Sequence, residues 1–290
     1  MVDQDTLCAL DAIEWLTTEA ESLNKLGITP AKFKRNLKKC LKIFNLELEE
    51  IQHEWHTIGD KTILLMERQV HQTARWLGHR RLRYEATYWS KSLFHTSLSS
   101  RWLAGLCTIS SMPRMFKLTR ERIVDVCLTT FSDIPSPDDP DLTSHHLARM
   151  PIFFTAKRGH PLVGIADITY KDIATYPTLT IPAGAHPTLE KSLKSIGLWN
   201  DATRLNLQQR ELWQGKTEEE LTIGYATALS MKVCGGDQVR LPLNLPLISL
   251  EAIVFHREFA ANPELLRLKK LIQEHICKFA IEDPEICLIN

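Results

Sequence analysis

The segment from residue 28 to residue 44 has the residue types and spacing most capable of chemistry, because it holds six cations and no acid. The cations are Lys32, Lys34, Arg35, Lys38, Lys39 and Lys42. Apolar residues recur between them at three- and four-residue spacing, which predicts a helix with one apolar face: Phe33, Leu37, Leu41 and Phe44. Such a helix suits contact with a phosphate backbone, although a solvated charged face is the simpler alternative.

The residues around this segment predict the elements that position it. Residues 5–26 have a helical apolar period, and Gly27 can adopt the left-handed conformation that ends a helix. Thr29 can cap a second helix, with Pro30 at its first position. Helix, glycine turn and basic helix together indicate a helix-turn-helix.

Two further elements follow the basic helix. Residues 57–65 have a Gly-Asp turn between short apolar runs, which predicts a small hairpin, or wing. Residues 66–81 predict a helix whose stripe of Val70, Ala74 and Leu77 packs either on its own domain or on a second copy of the chain.

The rest of the chain alternates strands with helices, which predicts an α/β domain with largely parallel sheets. We expect strands at 82–87, 123–130, 151–156, 177–181, 205–207 and 248–256. We expect helices at 92–106, 187–198, 218–230 and 263–279, and a surface loop at 132–141.

Composition narrows the class of protein. The 290 residues contain 35 basic and 35 acidic side chains, so the six cations are a local cluster. Seven scattered cysteines make no C-x-x-C pair, which indicates reduced thiols and neither a disulfide framework nor a zinc site. The sequence lacks a signal peptide and a membrane-spanning stretch, so we expect a cytoplasmic protein with no membrane partner.

Enzyme signatures are also missing from the sequence. It has no H-E-x-x-H, P-loop or G-x-S-x-G motif. The adjacent His145 and His146 diverge on either a strand or a helix, which disfavours a shared metal. We therefore expect no enzyme activity, no cofactor and no metal.

Three segments resemble one family. The sequence I-T-P-A-K-F-K-R-N-L-K-K from Ile28 is similar to the recognition-helix motif of LysR-type transcriptional regulators, roughly V-S-Q-P-A-V-S-R-Q-I-R-R. The stretch from Phe153 through His160-Pro-Leu to Ile181 resembles that family's strand, H-P-L turn and following strand, which implies a structural role for His160 and not a catalytic one. The residues from Pro246 to Ile276 resemble its last strand and closing helix.

The resemblance implies a winged helix-turn-helix DNA-binding domain at 1–65 and a linker and dimerisation helix at 66–82. A two-subdomain, periplasmic-binding-protein-like α/β domain with a shortened first subdomain would follow at 83–280. It also implies double-stranded DNA as partner, a homodimer or homotetramer, and regulation by a small molecule or a partner protein. Residues implied to contact DNA are Thr29, Lys32, Lys34, Arg35, Asn36, Lys38, Lys39 and Lys61. Residues implied to line an effector site are Thr87, Ser90, Thr130, Thr180, His186, Thr188 and Tyr225.

Side-chain chemistry divides the DNA-binding set. Arg35 can pair with guanine and Asn36 with adenine in the major groove, whereas the lysines suit phosphates. Two other classes of protein remain open. One is a regulator-derived interaction module that has lost effector or specific DNA binding, and the other is a free-standing ligand-binding protein or small-molecule enzyme.

Overall fold

The computed structural model describes residues 2–51, 53–87, 90, 93, 100–107, 111–179, 181–199, 221–234 and 236–289. The chain forms two compact units. Unit 1 contains Met1–Glu85, Ser97–Leu106 and Lys117–Val126, and unit 2 contains Ala86–Thr96, Cys107–Phe116 and Cys127–Asn290. The domain boundaries at residues 65, 82 and 280 stay a prediction.

Unit 1 begins with a three-helix head. Its helices are α1 (Gln4–Leu16), α2 (Glu19–Leu26) and α3 (Pro30–Phe44). The single helix predicted over 5–26 is wrong, because Thr17 adopts a left-handed φ of 62° and ends α1. Thr18 then caps α2 by accepting the N–H of Glu21 at 3.2 Å.

A two-stranded hairpin completes the head. Its antiparallel strands are β1 (Glu47–Ile51) and β2 (Glu54–Ile58), with Ile51 opposite Glu54. The wing predicted at 57–65 is therefore misplaced. Gly59, with a φ of 123°, instead turns the chain from β2 into the next helix, and a Cβ there would lie 2.9 Å from the Leu46 Cδ2 atom.

The next elements of the chain are α4 (Thr62–Trp76), β3 (Leu82–Ala86), β4 (Trp102–Ala104) and α5 (Met112–Arg120). Helix α4 begins and ends earlier than the predicted helix over 66–81. Strand β4 runs parallel to β3, with Leu82 opposite Trp102, so the helix predicted over 92–106 is wrong for these described residues. Helix α5 was not predicted.

The core of the head is apolar and continuous with one end of α4. Side chains from α1, α3 and α4 meet in it, among them Leu7, Leu10, Ile13, Phe33, Cys40 and Leu64. Removing this surface from water holds the three helices together.

Unit 2 is built on a sheet with strand order β5-β8-β6-β7 and with β9 on the edge of β6. The strands are β5 (Val126–Thr129), β6 (Leu142–Lys157), β7 (Gly224–Thr227), β8 (Gln238–His256) and β9 (Cys287–Leu288). Strand β6 pairs antiparallel with β7, β8 and β9. The expectation of largely parallel sheets is wrong for these pairs.

The long β6–β8 pair was missed because prolines divide its sequence. It extends from Leu142 opposite His256 to Lys157 opposite Gln238. The register shifts near Pro151, which lets the strand continue past a residue that cannot donate a ladder hydrogen bond. The strands predicted at 151–156 and 248–256 are confirmed as parts of these longer ones.

Helices α6 (Tyr170–Ile173), α7 (Pro187–Ser195), α8 (Ala228–Cys234) and α9 (Pro263–Glu282) complete unit 2. The helices predicted at 187–198 and 263–279 are confirmed. Residues 224–227 form a strand, so the helix predicted over 218–230 is wrong there, and 177–181 contributes only an isolated bridge at Thr178. The strand predicted at 205–207 lies outside the described residues. None of the described helices is long and apolar enough to span a membrane.

Candidate DNA-binding face and ligand site

Local sequence defines both ends of α3. The Thr29 hydroxyl accepts the N–H of Lys32 at 3.3 Å, and Pro30 occupies the first turn. Asn45, with a left-handed φ of 53°, ends the helix. Thr29 thus acts as a cap, while its own O–H proton can still be donated to a phosphate.

One face of α3 is buried in the head. Phe33 and Cys40 are fully buried, and the partly buried Leu37, Leu41 and Phe44 pack against the same core. The predicted apolar face is therefore confirmed, and the cations lie on the remaining surface. Arg35, Lys38 and Lys42 are all exposed.

Three cations of α3 are paired with acids of the head. The Lys39 Nζ atom lies 2.8 Å from Asp3, and the Lys32 Nζ atom lies 3.0 Å from Asp5. The Lys34 Nζ atom lies 3.4 Å from Glu19. Among the described residues, no ion pair involves Arg35, Lys38 or Lys42.

Two residues of the DNA-binding set have other structural roles. Asn36 is buried, and its amide donates to the Asp5 carbonyl at 3.3 Å, so packing of α3 on α1 uses the group that was expected to read adenine. Lys61 precedes α4 instead of lying between wing strands, and its Nζ atom is 3.1 Å from Glu121. These contacts remove Asn36 and Lys61 from the set of candidate DNA contacts.

Helix α4 buries a polar face and exposes an apolar one. Its buried face is polar and includes Arg68, Gln72 and Arg75. Its opposite face carries apolar side chains that are 56–72% exposed: Ile63, Met66, Val70 and Leu77. Their spacing of three, four and seven residues forms one stripe, which includes Val70 and Leu77 of the predicted dimerisation stripe.

The polar face of α4 is held by buried acids. Arg68 is completely buried and contacts Asp11 at 2.9 Å, Glu121 at 3.1 Å and Glu14. Arg83 contacts the other carboxylate oxygen of Asp11 at 2.7 Å. Burial by itself would raise the pKa of Asp11, but the two guanidinium groups hold it below its usual value. This network was missed because charged residues are usually exposed.

Unit 2 brings three residues of the implied effector set together around a carboxyl group. The Thr130 hydroxyl donates to the Glu251 Oε1 atom at 2.7 Å, and the Thr87 hydroxyl donates to Ser90 at 2.8 Å. Burial raises the pKa of Glu251 to about 7, against the opposing effect of hydrogen bonds from Thr130, Ser249 and Ser90. Sequence reasoning missed Glu251, although an acid inside the apolar run of 248–255 was a signal.

A second carboxylate occupies the N-terminus of α7. The Asp133 Oδ1 atom accepts the N–H of Thr188 at 2.9 Å, and its Oδ2 atom lies 3.7 Å from the Nδ1 atom of buried His186. Backbone N–H groups at a helix N-terminus attract anions, and here the protein supplies its own.

The remaining described member of the effector set is Tyr225. Tyr225 lines a small, mainly apolar pocket with Thr178 and Trp199, and burial raises the pKa of its phenol to about 12. The pocket has about 170 Å³ of space between its atoms, part of it open to solvent, and no enclosed room for a small molecule. Thr180 lies outside the described residues.

Metal and catalytic chemistry have little support in the described part of the chain. It contains no group of three or more His, Cys, Asp or Glu side chains placed to hold a metal ion. The His160 Nδ1 atom accepts the N–H of Leu162 at 3.1 Å, consistent with the structural role predicted for this residue.

No family model and no curated protein matches this sequence. Solved structures do match over most of the chain. Full-length OxyR from Pseudomonas aeruginosa has a TM-score of 0.57 at 12% identity, covering 94% of this chain and 95% of its own. Full-length CbnR in complex with its target DNA has a TM-score of 0.52 at 14% identity, covering 93% and 98%. The regulatory domain of MetR from N. meningitidis, a LysR family regulator, has a TM-score of 0.52 at 13% identity, covering 72% and 100%.

These likenesses define the class of fold. The chain has the fold of full-length LysR-type regulators, with a helical N-terminal part and a sheet-rich C-terminal part. The predicted fold class is confirmed at this level.

Proposed function

We propose that this protein is a LysR-type transcriptional regulator that binds specific sequences in double-stranded DNA. The observation that carries the proposal is the exposed cationic surface of α3, which is capped, packed on α1 and placed second in a helix-turn-helix. The fold shared with a regulator solved on its target DNA supports the same conclusion.

Within this proposal, α3 enters the major groove. Arg35 is exposed and can form a bidentate pair with a guanine edge, so it is our candidate base-reading residue. Lys38 and the neighbouring lysines contact phosphates, which position the head without specifying sequence. Lys42 joins this set because it lies on the same stripe as Arg35 and Lys38.

The exposed stripe of α4 supports a homo-oligomer. Four large apolar side chains on one helix face are exposed in the single chain, while the arginines of the polar face pair with acids of unit 1. We propose that two copies pair through Ile63, Met66, Val70 and Leu77, which would place two recognition helices on one duplex. A dimer or tetramer built this way would act on DNA in the cytoplasm.

Regulation by a small molecule or a partner protein is also part of the proposal. The hydroxyls of Thr87, Ser90 and Thr130 are its candidate ligand contacts; Ser90 and Thr130 hydrogen-bond Glu251, and Thr87 donates to Ser90. A ligand that regulates the protein must have different affinities for two states of it.

The DNA-binding role can be tested by selecting sequences from a pool of random duplexes with the full chain. Arg35→Ala and Lys38→Ala variants are then compared on the selected duplex, with exposed Lys270→Ala of unit 2 as the control. We expect Arg35→Ala to lower the affinity by about 1–3 kcal/mol and to relax the preference at one base position. Lys38→Ala should weaken all sequences equally and reduce the salt dependence.

Two results would count against this proposal. One is selection of no preferred duplex by the wild-type chain, and the other is an affinity that neither α3 variant changes. Either would favour the alternative of a regulator-derived interaction module.

A further inference from the structure

The acids that pair with α3 have defined positions of their own. Asp3 caps α1: its Oδ1 atom accepts the N–H of Thr6 and its Oδ2 atom accepts the Thr6 hydroxyl, both at 2.8 Å. Asp5 lies in the first turn of α1 and Glu19 in the first turn of α2. Helix N-termini favour negative charge, so these positions stabilise the carboxylates independently of their lysine partners.

Two of the three paired cations of α3 lie in a different row from the unpaired ones, and the third, Lys34, lies one turn before Lys38. Lys32 and Lys39, seven residues apart, meet Asp5 and Asp3. Arg35, Lys38 and Lys42 follow one another at spacings of three and four residues, and in the described part of the chain no acid is paired with them. We call these three residues the unpaired stripe.

The net charge of the whole head is negative, which disfavours binding to DNA. Residues 1–65 contain eight lysine and arginine residues but eleven aspartate and glutamate residues. Three of these acids, Glu47, Glu49 and Glu50, are exposed on strand β1. The field around the head is therefore not the strongly positive one that drives nonspecific binding to a polyanion.

We propose that the head masks part of its own DNA-binding face. This inference rests on the proposed function. Asp3, Asp5 and Glu19 compete with phosphates for Lys39, Lys32 and Lys34, and the unpaired stripe makes the first contacts with a duplex. Exposed ion pairs are weak, so a duplex can displace them where the match is good.

The consequence of masking is lower affinity for random DNA. Each phosphate contact contributes about −0.9 to the slope of log K against log salt concentration. Masking three lysines therefore removes up to about three contacts from nonspecific complexes. Binding to the correct sequence suffers less, because contacts of Arg35 with base edges are independent of the masked lysines. The three carboxylates would thus raise specificity by suppressing background binding.

The test uses the full chain with all three acids neutralised as Asp3→Asn, Asp5→Asn and Glu19→Gln. Asparagine caps helices as well as aspartate does, so the first substitution keeps the cap on α1. We expect about tenfold or more higher affinity for a random-sequence duplex at low salt, and a log–log salt slope steeper by about 2–3. Thermal melting checks the fold, and the Asp5→Asn, Glu19→Gln pair provides a second variant that leaves residue 3 unchanged.

Two comparisons separate local masking from a change in net charge. The control neutralises three exposed acids of unit 2, as Asp138→Asn, Asp167→Asn and Glu274→Gln, and should leave the slope unchanged. Replacing Lys32, Lys34 and Lys39 by alanine should lower random-duplex affinity less than about threefold in the wild-type chain. The same replacement should abolish the gain in the neutralised chain.

The inference is overturned if the neutralised chain has the wild-type slope, or if the unit 2 control gains as much affinity. In both cases a loss of wild-type binding on Arg35→Ala would still support the proposed function. If neither the wild-type nor the neutralised chain binds any duplex, both proposals fail.

Discussion

The buried ion network of unit 1 makes a prediction that the structure can quantify. Replacing Arg68 by methionine removes the cation that contacts Asp11 and Glu14 while retaining most of the side-chain volume. Both carboxyl groups are almost completely inaccessible to solvent. Removal of one partner from a buried ion pair typically costs about 3–5 kcal/mol, and we expect the lower end of this range because Asp11 keeps its contact with Arg83.

A loss of this size is a large fraction of the stability of a domain, which is on the order of 5–15 kcal/mol. The assay is urea unfolding of wild-type and Arg68→Met chains, followed by tryptophan fluorescence. Trp15 is a suitable probe, because its indole N–H donates to Glu85 at 2.8 Å within the same unit. Arg267→Met, at a solvent-exposed arginine of α9, is the control and should change stability by less than about 0.5 kcal/mol.

The dependence on pH provides a second readout with a definite sign. In the wild type the pKa of Asp11 lies below its unfolded value, so its contribution is present above about pH 4 and is lost as the pH falls further. In Arg68→Met, Asp11 keeps only Arg83 against the effect of burial, so its pKa should be less depressed and acidification below about pH 4 should cost the variant less stability than the wild type. Adding Glu14→Gln should restore part of the lost stability, whereas Asp11 must stay in place because it also neutralises Arg83. A loss below about 1 kcal/mol, or no recovery on neutralisation, would refute the reasoning.

Three other substitutions have equally direct outcomes. Glu251→Gln removes a buried carboxyl whose pKa is raised from about 4.5 to about 7. As the pH rises between these values, the free energy of unfolding of the wild type should fall by up to about 3 kcal/mol, and urea unfolding of the variant should show little of this loss. Val70→Glu places a charge in the exposed stripe of α4, and sedimentation at several concentrations should show fewer oligomers with unchanged melting. Gly105→Ala brings a Cβ atom to 2.0 Å from the Glu85 Oε2 atom, and we expect loss of about 1–3 kcal/mol and altered fluorescence of Trp15.

Local patterns predicted the elements that depend on local physics. Thr29 and Pro30 begin α3 as expected, because capping and the fixed φ of proline act over a few residues. The helices at 187–198 and 263–279 and the buried face of α3 follow from apolar periodicity alone. These features carry most of the candidate DNA-binding face.

The features that were missed depend on residues distant in sequence. The antiparallel β6–β8 pair joins Leu142 to His256, and no local pattern encodes the direction of such a pair. Asn36 has the polarity of a surface residue, yet its buried position follows from the nearby carbonyl of Asp5 on α1. Glu251 is a similar case, since its burial depends on hydroxyl donors from Thr130 and Ser249.

Helix α4 shows that the polarity of its residues alone cannot tell which helix face is buried. Its sequence has two candidate faces, one with Arg68 and Arg75 and one with Val70 and Leu77, and periodicity cannot say which is inside. The structure buries the arginines, because acids as distant as Asp11 and Asp125 neutralise them. The apolar face is then left for a partner. On the proposed pairing, folding and assembly use opposite faces of one helix, so Arg68→Met should change unfolding, Val70→Glu should change association, and the double variant measures any coupling between them. A strong coupling between the two substitutions would mean that assembly and the buried ion network depend on each other.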